Sequence, residues 1–170
     1  IWPTFKDLAK TTEPKILRFW SGLGYYSRAR NLLKAAKIID KNFKCKIPDQ
    51  YEDLISLPGI GDYTAKAILG IAYNQSVMPL DANIERIFAR LYSFNTPLIK
   101  IKKQLSNKAD FFLSKKYSSN LIQSFMDYGS LICTPRNPNC SICKIQKYCL
   151  SYEKSMQNII PAKVKKQKLK

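Results

Sequence analysis

The sequence predicts an all-α protein in two lobes. Three observations predict it. Apolar residues recur at helical spacing along most of the chain, no segment alternates with the period of a strand, and glycine and proline separate the periodic runs. The 170 residues suffice for one ordinary domain or two small lobes, and a hydrophobic content of 45% supports a packed core.

The elements follow in order. Residues 4–10 and 13–20 read as two short helices, with Pro14 early in the second, where proline is tolerated. Gly22 and Gly24 break the chain before an amphipathic helix over 26–40, whose Leu32, Leu33, Ala36 and Ile39 are expected to face the core. A basic loop, 41–48, leads to a short helix at 49–56 and then to Leu57-Pro58-Gly59-Ile60-Gly61. Helices are expected over 62–73, 82–93, 98–116 and 118–132, with a proline-containing loop at 74–80. Four cysteines occupy 133–149, and from Ser151 the periodicity fades into a lysine-rich tail that reads as a linker.

Lys and Arg number 29 against 12 acidic residues, a net charge of +17. So large an excess opposes compaction and points to nucleic acid or an anionic surface as partner. No apolar run approaches the roughly 20 residues of a membrane span, so insertion into a membrane is not expected. No signal peptide is visible, and a first residue of Ile1 reads as the start of a fragment.

The five cysteines and the absence of histidine constrain the metal chemistry. Cys133, Cys140, Cys143 and Cys149 have the spacing C-x6-C-x2-C-x5-C, and Cys45 stands apart in the basic loop. Four thiolates on one loop form a soft cage that suits either zinc or an iron–sulfur cluster, and the spacing by itself leaves both open. Mixed cysteine–histidine zinc sites are excluded. Pro135 and Pro138 stiffen the loop, so Arg136 is expected to point outward, to a phosphate or to solvent alone.

Gly59 and Gly61 are expected to allow a tight turn with positive φ, presenting backbone N–H groups of Gly59, Ile60 and Gly61 at the start of the next helix. Such a turn binds a phosphate without reading a base, though a plain helix corner with a glycine cap has the same pattern. The segment Leu57-Pro58-Gly59-Ile60-Gly61-Asp62-Tyr63-Thr64-Ala65 closely resembles the hairpin motif of the helix-hairpin-helix DNA glycosylases, the superfamily of endonuclease III and the adenine-excising MutY type. Leu80-Asp81-Ala82-Asn83-Ile84-Glu85-Arg86 resembles its catalytic-aspartate segment, and the cysteine spacing is similar to its cluster loop. Trp20-Ser21-Gly22-Leu23-Gly24-Tyr25-Tyr26 resembles the MutY branch most.

The resemblance implies one 4Fe–4S cluster on Cys133, Cys140, Cys143 and Cys149. It implies a monomeric, monofunctional N-glycosylase that removes adenine opposite 8-oxoguanine or guanine in double-stranded DNA, in the cytoplasm at the nucleoid. Asp81 would stabilise the charge that develops on the sugar, with Tyr63 and Asn83 lining its pocket. On local sequence alone, Asp81 reads as a helix N-cap. Leu23 and Tyr25 would wedge into the duplex, and Arg28 and Arg30 would meet phosphates or only solvent. The position matching the Schiff-base lysine of endonuclease III is Tyr63, which forms no Schiff base.

The resemblance further implies a lobe over 1–76 bearing the hairpin 57–61, a cluster lobe over 77–150 and a basic linker over 151–170, with Asp81 at the cleft between the lobes. The glutamate acid of MutY-type enzymes would precede Ile1, so the chain alone is expected to excise adenine very poorly. Asp81-Ala82-Asn83 departs from the Asp-Gly-Asn usual in that branch. T·G mismatch thymine glycosylases and endonuclease III-like enzymes are the alternatives, with a non-catalytic iron–sulfur DNA-binding module as a third.

Overall fold

The computed structural model describes residues 1–162; the lysine-rich end of the expected linker, 163–170, lies outside the described residues. Among the described residues there are helices and no strands. They run α1 Phe5–Ala9, α2 Glu13–Phe19, α3 Tyr26–Asn42, α4 Tyr51–Ser56, α5 Asp62–Ala67, α6 Ala82–Leu91, α7 Leu98–Asp110, α8 Ser118–Leu131 and α9 Leu150–Glu153. No described helix is long and apolar enough to cross a membrane.

The chain divides into two compact units, with the break after Leu69. In the first, the apolar stripe of α3 supplies Ala29, Leu33 and Ala36 to a core shared with Leu8 of α1 and Ile16 of α2. Trp2, Phe5 and Trp20 pack around it. Leu32 departs from the expected core face: it is 40% exposed and lines a groove beside the hairpin with Arg28, Asn31 and Ile60. On a 100° per residue helix Leu32 lies one step off the stripe centred on Leu33 and Ala36.

The second unit is built on α6, which is buried on almost every side. Phe88 sits at its centre, with ring centroids 5.2 Å from Phe112 and 5.3 Å from Phe125. Ile84, Leu105 and Ile122 close the same core. Two expectations are corrected here. The helix over 98–116 ends at Asp110 and turns through 111–117, so that Phe112 swings in against Phe88. The tail from Ser151 is not all linker: Ser151 lies within α9, and Ile160 is 1% exposed in the core of this unit.

The helix expected over 62–73 changes form within its length. After α5 the backbone widens into a π-helical turn over Ile68–Ala72. Gly70 in that turn lets Ile122 and the Val77 backbone approach; a Cβ there would lie 2.3 Å from Ile122 Cδ1. Such wide turns absorb a local insertion without ending a helix.

Candidate functional site

In the first unit, Trp20 Nε1 donates to the Gly24 carbonyl at 3.0 Å and closes a short loop between α2 and α3. Gly22 and Gly24 adopt positive φ, and Tyr25 is left-handed at φ 47°. The loop displays its apolar side chains: Leu23 is 63% and Tyr25 80% exposed. Both side chains therefore stand largely open to solvent rather than packed into the core of this unit. Arg28 lies over the rings of Trp20 and Tyr25, 5.5 and 5.6 Å from their centroids. Arg30 is already engaged, its Nε donating to Glu13 Oε1 at 2.8 Å in an exposed pair.

The hairpin uses its two glycines differently. Gly59 has φ +82°, and a Cβ there would lie 2.8 Å from Asn31 Cβ, so side chains are barred. Gly61, expected to share the positive φ, has φ −100° and open space around it. The Ile60 N–H, expected to be presented with those of Gly59 and Gly61, instead donates to the Leu57 carbonyl at 3.1 Å and sets the turn. Asp62 opens α5 and is held by the Tyr51 hydroxyl at 2.9 Å and Lys66 Nζ at 2.9 Å. Tyr63 is 42% exposed in the first turn of α5.

In the second unit, Asp81 is the N-cap of α6, and its Oδ1 accepts the Ile84 N–H at 2.7 Å. The cap fixes the carboxylate, and Oδ2 faces Asn83 Nδ2 at 3.4 Å. Asn83 is held in turn: its Oδ1 accepts from Arg86 Nη2 at 2.9 Å. The Arg86 guanidinium also donates to the carbonyls of Gly129 at 2.6 Å, Cys133 at 2.7 Å and Ala82 at 3.2 Å. Burial pushes it down from its usual range, although an arginine stays protonated in a protein. Gly129 has no side chain because a Cβ there would lie 2.5 Å from Asn83 Cβ.

One turn on, Arg90 is 2% exposed. It donates to the carbonyls of Thr134 at 2.7 Å, Ile160 at 2.9 Å and Pro135 at 3.1 Å, and its Nη1 lies 3.3 Å from Cys133 Sγ. Arg86 thus joins Asp81, through Asn83, to the Cys133 carbonyl, and Arg90 ties α6 to the same start of the cysteine loop. Sequence reasoning marked Asp81 and Asn83 and missed Arg86, Arg90, Gly129 and Asn31. The available signal was two arginines four apart, flanking the apolar run Ile87-Phe88-Ala89 in α6.

Cys133, Cys140, Cys143 and Cys149 line one cavity with Ile87 and Leu91. Burial, and the other cysteines beside them, push the Cys140 and Cys149 thiols up, while backbone N–H groups of Tyr152 and Ser151 oppose the rise at Cys149. A bound metal group supplies positive charge that stabilises thiolates grouped in this way. A multi-iron cluster spreads four thiolates over a wider cage, and an all-cysteine donor set suits it. Cys45 takes no part; its thiol donates to Asp40 Oδ1 at 2.9 Å in the first unit. Arg136 is exposed on the loop.

The comparisons with known proteins agree with this arrangement. Residues 1–110 match the model of the HhH-GPD superfamily base excision DNA repair proteins, and residues 133–149 match that of the iron-sulfur binding domain of endonuclease III. The chain is 38% identical over 170 residues to an adenine DNA glycosylase of Buchnera aphidicola subsp. Baizongia pistaciae, covering 94% of this chain and 48% of that protein. It is 32% identical over 164 residues to the adenine DNA glycosylase of Mus musculus, covering 95% of this chain and 32% of that protein. The chain therefore spans about half the length, or less, of these curated relatives.

Among solved structures, a thermostable thymine-DNA glycosylase superposes with a TM-score of 0.80 at 26% identity, covering 89% of this chain and 70% of that one. An endonuclease III in a non-covalent DNA complex superposes with a TM-score of 0.73 at 21% identity, covering 92% and 72%, and shows the shared fold. On these grounds the chain belongs to the HhH-GPD superfamily of base excision DNA repair proteins and carries the iron–sulfur-binding segment of endonuclease III.

Proposed function

We propose that the protein containing this chain is a monomeric, monofunctional DNA N-glycosylase that removes adenine from A·8-oxoguanine and A·G mispairs in double-stranded DNA. The observation that carries the proposal is Asp81. It is a carboxylate fixed by its own helix cap and backed, through Asn83 and Arg86, by the carbonyls of Gly129 and Cys133. Cleavage of a sugar–base bond builds positive charge on the sugar, and a fixed carboxylate stabilises that charge without reorganising. The target nucleotide must leave the stack to be reached. The exposed Leu23 and Tyr25 have the character of a wedge that replaces it in the duplex.

Gly59-Ile60-Gly61 and Arg28 are proposed to meet the phosphate backbone, with Arg136 adding a contact from the cysteine loop. Arg30 is less available, since Glu13 holds it. Tyr63 stands at the Schiff-base position, and the nearby Lys66 is paired with Asp62, so β-lyase cleavage is not part of the proposal. The four cysteines are proposed to hold one 4Fe–4S cluster, which when bound would tie the loop together. A second reading, release of thymine from T·G, is favoured by Asp81-Ala82-Asn83 and by the likeness to the thymine-DNA glycosylase structure.

Asp81→Asn tests the proposal at its centre. Asn caps a helix about as well as Asp, so stability and duplex affinity should hold while the charge is lost. Base release should fall by about 100-fold or more. Retained release would remove Asp81 from the mechanism.

A further inference from the structure

Tyr128 touches two of the four cysteines. It lies near the end of α8, and its carbonyl accepts the Cys133 N–H at 2.8 Å. Its side-chain hydroxyl donates to Cys143 Sγ at 3.1 Å. The phenolic oxygen also faces the backbone N–H groups of Lys144 and Ile145. The ring lines the cysteine cavity and also borders a small pocket formed with Leu121, Phe125 and Ile145.

A thiolate that binds a metal has lone pairs and no proton, so it can only accept this bond. A donor on a ligand sulfur withdraws electron density from the cluster. It stabilises the more negative, reduced state more than the oxidised one and moves the reduction potential upward. Arg90 also reaches a ligand sulfur, on Cys133, but it tethers four carbonyls as well, and its removal would loosen the loop. The Tyr128 hydroxyl is separable, because phenylalanine keeps the ring.

We propose that Tyr128 is a positioning residue for the cofactor: through its hydrogen bond to the Cys143 thiolate it holds the reduction potential of the iron–sulfur cluster above the value it would have without that donor. The proposal rests on the iron–sulfur reading of the four cysteines. It goes beyond it by assigning a task to a residue that is neither a ligand nor part of the aspartate network.

The test is a mediated potentiometric titration of the cluster-loaded protein, with iron counted per chain. Tyr128→Phe should keep the iron and shift the midpoint potential to a more negative value. Replacing Tyr128 by 3-fluorotyrosine, a stronger donor of nearly the same shape, should shift it the opposite way. A general loosening of the loop would not give shifts of opposite sign. An unchanged potential in both variants at full iron content would overturn the proposal. If Tyr128→Phe loses its iron, the fluorinated variant decides alone: an upward shift supports the proposal and no shift overturns it. Wild-type protein that takes up no iron would overturn the cluster reading itself, and the proposal with it.

Discussion

An arginine with 6% of its surface exposed, inside a helix of apolar neighbours, is costly unless its donors find acceptors. Arg86 finds four, and two of them are carbonyls 43 and 47 residues away along the chain. Arg86→Met would take the arginine donor from the Gly129 carbonyl, leave the Cys133 carbonyl only its longer bond from Arg90 at 3.3 Å, and free Asn83 to turn away from Asp81. We expect a loss of about 3 kcal/mol in stability, read by denaturant unfolding, and a lower iron content. Arg86→Lys should not restore either, because a single ammonium cannot span the same acceptors. Asp81 and Asn83 were legible in the sequence because their motif is local. Arg86 was not, because an isolated arginine reads as a solvated side chain, and its burial depends on α8 and the cysteine loop packing over α6. The ordinary explanation of Asp81 as a helix cap was also correct as geometry, and the cap is what aims the carboxylate.

At the scale of elements, the hairpin separates the demands of folding from those of binding. Gly59→Ala places a side chain in left-handed backbone, at a cost of about 1–2 kcal/mol, and pushes a Cβ against Asn31. Gly61→Ala meets neither obstacle. Thermal unfolding should therefore show Gly59→Ala clearly destabilised and Gly61→Ala within about 0.5 kcal/mol of wild type. If Gly61 is open so that a phosphate can approach the bare backbone, its alanine variant should still lose duplex affinity in a titration. Unchanged affinity would leave Gly61 without a role in binding. The turn itself was legible from Pro-Gly and Gly between periodic runs, but which glycine carries the positive φ was not, since that depends on Asn31 from α3. The same limit explains the tail. Ile160 is a single apolar residue in a polar stretch, and its burial against the α6 core follows from tertiary packing rather than periodicity.

Across the whole molecule, the run of helical periods made the all-α fold legible from the outset, and the net charge of +17 narrowed the expected partners to nucleic acid or an anionic surface. The cysteine spacing located the metal-binding loop, while the common cavity and the two buried arginines behind it required the structure. The break after Leu69, inside a helix that widens into a π-turn, was likewise not legible, because the apolar period runs on through it. The proposed base release needs the duplex bound, the nucleotide extruded and the aspartate in place together. The measurement that tests it most directly is single-turnover base release by the protein containing this chain, on duplexes bearing A·8-oxoguanine, A·G and T·G. Adenine released from the first two, with no adduct trapped by borohydride, is the predicted result. Thymine released from T·G with adenine left in place would contradict it and move the protein to the mismatch-thymine branch.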